Sequence, residues 1–130
     1  MSDVRTGHLL DVAEKVLAGT VATPRARATR AAAILARSAL EDLVTDLCAR
    51  EGIDVARASM RVRLACLRAL IPLIAGDAAV AWSGLSRACH QHAYEIAPNR
   101  SEVSHLVAEV RRVAGTTQWD HVPRDSGRSV

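Results

Sequence analysis

The sequence has very few large aromatic residues: it contains no phenylalanine, one tyrosine and two tryptophans. Domains that bind single-stranded RNA by stacking its bases need a platform of aromatic side chains, so that class of RNA-binding module is excluded. The β-branched and aromatic residues that strands prefer are comparatively few, whereas the sequence contains 24 alanines. This composition predicts helices and argues against a β-sandwich or barrel.

Lysine is nearly absent as well. Lys15 is the only lysine, against 16 arginines, and the formal net charge is +3. Together with the alanine content, this ratio is typical of a GC-rich genome, so the number of arginines does not by itself indicate phosphate binding. The small excess of positive charge does not by itself require a nucleic-acid partner.

Cysteine is also sparse, and its spacing is irregular. Cys48, Cys66 and Cys89 form an odd set that matches neither a disulfide framework nor a zinc site. Cys89 does not bind a metal together with His90 and His92, because three donors within four residues of one helix cannot converge. We therefore expect reduced, mostly buried thiols, no metal and no other cofactor.

Long apolar segments are missing too. The first ten residues carry charged side chains and lack the apolar core of a signal peptide. The longest uncharged apolar stretch near the middle of the chain, residues 69–75, is too short to span a bilayer. We expect a cytoplasmic protein that does not associate with a membrane.

What the sequence does contain is the periodicity of amphipathic helices. Apolar residues recur at three- and four-residue spacing, and Asp54, Asp77 and Asn99 precede such segments as helix caps. The pattern predicts five helices, at residues 3–18, 24–50, 55–75, 77–96 and 100–114. The short connections predict an all-α fold, an antiparallel up-and-down bundle.

A chain of this length is expected to form one domain. The predicted domain covers residues 1–114, with an N-terminal helix and linker at 1–22 and the main bundle at 24–114. Residues 115–130 have no periodicity and are predicted to be a disordered tail. Trp119 in this tail would dock on the bundle or on a partner.

The third predicted helix has apolar residues on two sides. One stripe contains Leu64 and Leu67, and the other contains Val62 and Cys66. A helix with this pattern is usually central in a bundle. Pro72 is expected to kink this helix or to end it early.

The fourth predicted helix holds the densest cluster of reactive side chains. Trp82 and Cys89 belong to an apolar side centred near Cys89, with Trp82 as the central core aromatic. His92 lies at the margin of that side, roughly 140° around the helix from Arg87. Nearly opposite the apolar side lie four polar side chains, those of Ser83, Arg87, His90 and Tyr94.

A helical bundle with an arginine, four intervening residues and a histidine resembles the HEPN family, whose signature is an arginine and a histidine a few positions apart. Arg87 and His92 have this spacing, and the alanine-rich segment 31–47 is similar to the second helix of such domains. The resemblance covers roughly residues 24–114. It implies a homodimer in which the motif helices of two subunits meet and line one cleft. In active members this cleft is a metal-independent endoribonuclease.

The resemblance also implies roles for individual residues. His92 would exchange a proton with the ribose 2′-hydroxyl or with the leaving oxygen. Arg87 would hold the scissile phosphate and stabilise its developing charge. His90, Tyr94 and Ser83 would line the cleft, and a dimer would allow side chains that diverge on one helix to converge.

Ala88 departs from the family pattern, because active members usually carry a polar residue directly after the arginine. His90 could take that polar role. Alternative interpretations are a solvated Arg87 on a helix face and a hydrogen-bonded His92 in the core. The alternative function is a non-catalytic dimerisation or protein-binding module, such as an adaptor or a toxin–antitoxin component.

The second predicted helix begins with a basic run that contains no acidic residue. Cations at a helix N-terminus oppose the helix macrodipole, which raises the question of what they contact. The run is either an RNA or phosphate contact surface or a solvated helix face. Its arginines are Arg25, Arg27, Arg30 and Arg37.

Overall fold

The computed structural model describes residues 2–20, 25–90 and 99–119, and this part of the chain forms five α-helices and no strand. The helices are α1 (Ser2–Leu17), α2 (Arg25–Arg50), α3 (Met60–Leu70), α4 (Pro72–Cys89) and α5 (Arg100–Trp119). The predicted all-α helical bundle is confirmed. In the described ranges, no helix combines the length and the apolar character needed to cross a membrane.

The second helix, α2, is the centre of the bundle. It packs against all four other helices, whereas α1 contacts neither α3 nor α4, and α3 does not contact α5. The α2 residues that face its neighbours are small: Ala32, Ala33, Ala36 and Ala39 are fully buried. Because these side chains are short, several helices can approach the α2 backbone closely.

The third helix is peripheral, so the prediction of a central third helix is wrong. It contacts only α2 and α4, and its buried residues are Met60 and Leu67. Val62, on the second apolar stripe, is 48% exposed. Cys66 on the same stripe is only partly buried, because an apolar stripe becomes buried only where another helix covers it and the described helices do not cover Val62.

A single residue separates α3 from α4. Ile71 leaves the helical conformation, with φ −138° and ψ 74°, and Pro72 occupies the first turn of α4. Proline lacks the N–H that a continuing helix needs, but the first turn of a new helix does not use that N–H. The predicted break at Pro72 is confirmed, but Pro72 rather than Asp77 begins the fourth helix.

The third helix also begins five residues later than predicted. Asp54 does accept a hydrogen bond from the backbone N–H of Ala56, at 3.0 Å, but the chain continues as turns. The cap of α3 is Ser59, whose hydroxyl accepts a hydrogen bond from the N–H of Val62. Asp54 therefore closes a local turn instead of starting a helix.

Arg63 holds the connection between α2 and α3 in this non-helical form. Its guanidinium donates hydrogen bonds to the carbonyls of Ala58, at 3.0 Å, and Ala56, at 2.9 Å. A third bond, of 3.1 Å, goes to the hydroxyl of Thr45 on α2. One half-buried side chain thus satisfies carbonyls that a helix over this segment would have satisfied with its own N–H groups.

Replacing Arg63 with alanine should lower the free energy of unfolding by about 2 kcal/mol, because three hydrogen bonds from a charged donor are lost. Urea denaturation followed by circular dichroism measures the change. Arg68→Ala on the same helix is the control, since Arg68 is exposed and surface substitutions usually change stability by less than about 0.5 kcal/mol. Equal unfolding midpoints for the two variants would show that Arg63 does not organise the connection.

The remaining helix ends follow local signals. Gly19 and Gly52 have positive φ values of 78° and 82°, as expected for glycines that terminate helices. Asn99 accepts a hydrogen bond from the N–H of Ser101 at 2.8 Å and begins α5. This helix runs to Trp119, so residues 115–119 continue it where a tail was predicted. The predicted start of the second helix at residue 24 and the tail residues 120–130 lie outside the described residues.

Candidate functional site

The buried side of α4 is rotated from the predicted one. The core side consists of four alanines, one isoleucine and one leucine, whereas Trp82 and Cys89 are partly buried and flank it. Trp82 is therefore not the central core aromatic, and its indole N–H donates to the Glu41 carboxylate at 3.4 Å. The buried residues of α4 are Ile74, Ala75, Ala78, Ala81, Leu85 and Ala88.

Ser83 and Arg87 lie on the exposed side of α4. Arg87 belongs to the last turn, where a cation interacts favourably with the carbonyl end of the helix dipole. Among the residues that the structure describes, its guanidinium has no hydrogen bond and no ion pair. Its five N–H donors are therefore not engaged by the described part of the bundle.

His90 ends α4 and contacts α2. Its backbone N–H donates to the carbonyl of Ser86 at 3.1 Å, and its ring Nε2 lies 3.2 Å from Nη1 of Arg37. A guanidinium can only donate, so Nε2 is the acceptor in this contact. While this contact exists, Nε2 of His90 is not available as a base.

Arg37 connects His90 to a wider group of side chains. Its Nε also lies 3.5 Å from Oε1 of Glu41, one turn further along α2. Glu41 in turn accepts the hydrogen bond from Trp82. We call Arg37, Glu41, Trp82 and His90 the α2–α4 polar network. It fixes the C-terminal half of α4, where Arg87 lies, against the central helix.

Cys89 lies beside the α2–α4 polar network and is half-buried. Burial raises the pKa of its thiol, the charges of Arg37 and Arg30 lower it, and Glu41 raises it. The net effect is a pKa above the ordinary value. A thiol with a raised pKa is protonated at neutral pH and is a weak nucleophile, which argues against covalent catalysis by Cys89.

Alkylation of Cys89 by iodoacetamide should therefore be slow at neutral pH and should accelerate as the pH rises. Replacing Glu41 with glutamine removes a charge that raises the thiol pKa, so the variant should react faster at a given pH. Mass spectrometry can follow each site, because arginines separate the three cysteines into different tryptic peptides.

Asp46→Asn is the matched control for Glu41→Gln, since Asp46 is on the same helix and pairs with Arg50. This substitution should leave the alkylation rate of Cys89 unchanged. A Cys89 that reacted at neutral pH as fast as free cysteine would contradict the raised pKa.

The basic run of α2 does not form one open surface. Arg27 and Arg30 are exposed, whereas Arg37 is half-buried in the α2–α4 polar network. Arg30 and Arg37 lie two turns apart on one side of α2, and both charges act on Cys89. The side chain of Arg25 lies outside the described residues. The run therefore extends from solvent towards the C-terminal end of α4.

The residue after Arg87 faces the interior of the bundle. Ala88 is 6% exposed and belongs to the hydrophobic core. A polar side chain at this position would be buried among apolar neighbours rather than presented beside Arg87. The fold thus gives a packing reason for alanine at position 88.

His92 and Tyr94 fall within residues 91–98, which lie outside the described residues. The pairing of Arg87 with His92 therefore stays a prediction from the sequence. In the described part of the chain, no three histidine, cysteine, aspartate or glutamate side chains come together as metal ligands.

Comparisons of the chain with protein-family models, curated proteins and solved structures gave no match. The structure defines the class as an all-α helical bundle.

One strongly basic region of the sequence contains none of the motifs discussed above. Between Asp54 and Asp77 the sequence contains four arginines and no acidic residue. This absence of acid, rather than any spacing of residues, is the signal that could have drawn attention to it. Arg63 is used internally, whereas Arg61 and Arg68 are exposed on α3.

Proposed function

We propose that this chain forms a homodimer through the exposed side of α4 and acts as a HEPN-like, metal-independent endoribonuclease. The observation that carries the proposal is an apolar strip on α4 that leads to Arg87. Leu73 is 90% exposed and Val80 is 71% exposed. Leu73, Val80 and Arg87 are spaced seven residues apart, so they lie along the same side of the helix. We call these three residues the α4 strip.

The α4 strip suits an interface between two copies of the chain. Asp77 and Arg87 are the only charged residues of α4, and Asp77 pairs with Arg112 of α5 at 3.1 Å. An interface formed by the α4 strip would therefore contain little charge, except at the end of the strip where Arg87 lies. In a two-fold dimer the same strip is used by both chains. Two α4 helices that cross near their C-terminal halves would bury Val80 and bring both Arg87 side chains to one cleft.

The proposed reaction is an internal attack on the RNA backbone. The ribose 2′-oxygen attacks phosphorus and the bond to the 5′-oxygen breaks, which leaves a 2′,3′-cyclic phosphate and a 5′-hydroxyl. Arg87 would donate two hydrogen bonds to the phosphate and stabilise its developing charge. His92, assigned from its sequence position, would transfer the proton between the 2′-hydroxyl and the leaving oxygen.

The other residues of the proposed cleft orient the substrate. Ser83, His90 and Tyr94 would line the cleft, and Arg27 and Arg30 on α2 would contact the RNA backbone. With so few aromatic side chains in the chain, recognition would depend on phosphate and ribose rather than on stacked bases.

The experiment is a cleavage assay with the purified full chain and a single-stranded RNA oligonucleotide in EDTA. We expect a dimer by light scattering and RNA fragments that end in 2′,3′-cyclic phosphate. A verified dimer that leaves the RNA intact would overturn the nuclease proposal. Cleavage that depends on added metal would overturn the proposed mechanism.

A second candidate is a non-catalytic dimerisation or protein-binding module, such as an adaptor or a toxin–antitoxin component. Two observations favour it. Ala88 is buried where active members of the HEPN family carry a polar residue, and Nε2 of His90 is in contact with Arg37. A dimer that binds a protein partner and does not cleave RNA would support this candidate over the nuclease.

A further inference from the structure

An open groove lies in the angle between α3 and α4, on either side of the bend at Ile71. Its volume is about 660 Å³. Leu64 and Ala65 of α3 form one wall, and Gly76 and Ala79 of α4 form the other. We call this the α3–α4 groove. It adjoins the α4 strip: Ala79 lies about 100° around the helix from Val80, whereas Gly76 is three residues from Leu73 and four from Val80 and so borders both surfaces.

The walls of the α3–α4 groove are apolar and built from small residues. Ala65 and Gly76 are exposed, and a Cβ atom added at Gly76 would meet no other atom within 4 Å. Short side chains on both walls leave room for side chains from outside, as in grooves that accept the apolar side of a helix.

The rim of the α3–α4 groove is positively charged. Arg61 and Arg68 line it, are exposed, and lie seven residues apart on α3, which places them about 10 Å apart along the helix axis. In the described part of the chain neither has a hydrogen bond or an ion pair. The segment around them, from residue 55 to residue 76, contains no acidic residue. The charge of the rim is therefore not neutralised from within this segment.

We propose that the α3–α4 groove binds an acidic amphipathic helix of a partner protein. The apolar side of that helix would enter the groove, and carboxylates two turns apart on its flank would pair with Arg61 and Arg68. A second copy of this chain does not fit the charge, because a two-fold contact through the groove would place the same arginine rims against each other. The inference uses neither Arg87 nor His92 and is independent of the nuclease proposal.

The test uses two synthetic amphipathic peptides and the full-length protein. One peptide carries leucine and alanine on one side and glutamates seven residues apart on the flank, and the other has lysine in place of each glutamate. Fluorescence anisotropy should show that the acidic peptide binds about tenfold more tightly than the lysine peptide. This is the difference expected when two exposed ion pairs are replaced by two repulsive contacts. Amide shifts on binding should be largest at Arg61, Ala65, Gly76 and Ala79.

Two variants separate the charge of the rim from the shape of the groove. Arg61→Glu with Arg68→Glu should reverse the preference, so that the lysine peptide binds more tightly. Ala65→Leu should weaken both peptides about tenfold by filling the groove from its α3 wall, and it should stay folded because Ala65 is exposed and leucine favours a helix. Neither variant changes a residue of the proposed cleft.

Several results would overturn this inference: equal binding of the two peptides, no response to the arginine replacements, or amide shifts confined to another surface. A change of oligomeric state in Ala65→Leu would show that a second copy occupies the groove. Tighter binding of an RNA oligonucleotide than of the acidic peptide, lost in the arginine variant, would show that the rim binds phosphate.

Discussion

Replacing Arg87 and His92 together with alanine should lower the rate of RNA cleavage at least about 100-fold, since a positioned charge donor and a general acid–base group each contribute about that much or more. The RNA phosphate would lose the guanidinium that stabilises its developing charge. The 2′-hydroxyl and the leaving oxygen would lose the group that transfers their proton. Initial rates on a fluorescent RNA in EDTA measure the effect. Each single variant should lose nearly as much as the double variant, because groups that act as a unit are not additive.

The matched control is Arg57→Ala with His8→Ala. Both residues are exposed and neither lies on α4, so this double variant removes the same two side-chain types and should cleave RNA at the wild-type rate. Wild-type activity in the Arg87 and His92 variant would rule out these residues as the catalytic pair. Equal losses in both double variants would point to a loss of basic charge rather than of a catalytic group.

Replacing Leu73 and Val80 with glutamate should dissociate the proposed dimer, with an increase in the dissociation constant on the order of 100-fold or more. The two-fold symmetry places each new carboxylate in the interface twice, so burial and like-charge repulsion both oppose association. Both residues are exposed in the single chain, so the bundle itself should remain folded. Light scattering over a range of protein concentrations measures dissociation, and circular dichroism checks the helix content.

Val4→Glu is the control for these substitutions, because Val4 is 77% exposed and lies on α1. It adds one glutamate, half of that charge change, at another exposed apolar residue and should leave the dimer intact. Persistent dimers in the Leu73 and Val80 variant would show that α4 is not the interface. If the cleft is composite, cleavage should fall with dissociation, whereas the Arg87 and His92 variant should remain dimeric.

Much of the fold follows from signals that are local in the sequence. Pro72 breaks a helix and Asn99 caps one, as predicted, and Gly19 and Gly52 adopt the positive φ that glycine tolerates at helix ends. These residues act through their own backbone preferences or through a neighbour two or three positions away. Their effect therefore depends little on the rest of the chain.

The start of α3 could not be predicted in this way. Residues 55–59 are compatible with a helix, but Arg63 satisfies the carbonyls of Ala56 and Ala58 and also reaches Thr45 on α2. The outcome depends on a residue 18 positions away in sequence. A pattern of local propensities does not contain that contact.

For the candidate site too, one part was predicted from the sequence and another part became visible only in the structure. Helix geometry alone predicts that Ser83, Arg87 and His90 lie on one side of α4, and the structure has all three exposed. The contact between His90 and Arg37 joins residues 53 positions apart and was not predicted. That Arg61 and Arg68 are unpaired was also visible only in the structure. The sequence does not show that Arg63 turns inward while Arg61 and Arg68 remain exposed.

The scarcity of aromatics and strand-forming residues by itself determined that this chain is helical and that it lacks an aromatic platform for bases. Only the tertiary structure decided which side of α4 is buried and which helix is central. The physical reason is the abundance of alanine. An alanine is nearly neutral between core and surface, so the pattern around Trp82 and Cys89 fitted more than one rotation of α4. Close packing against the alanines of α2 selected the rotation that buries Ala81 and Ala88 and leaves Val80 and Arg87 outside.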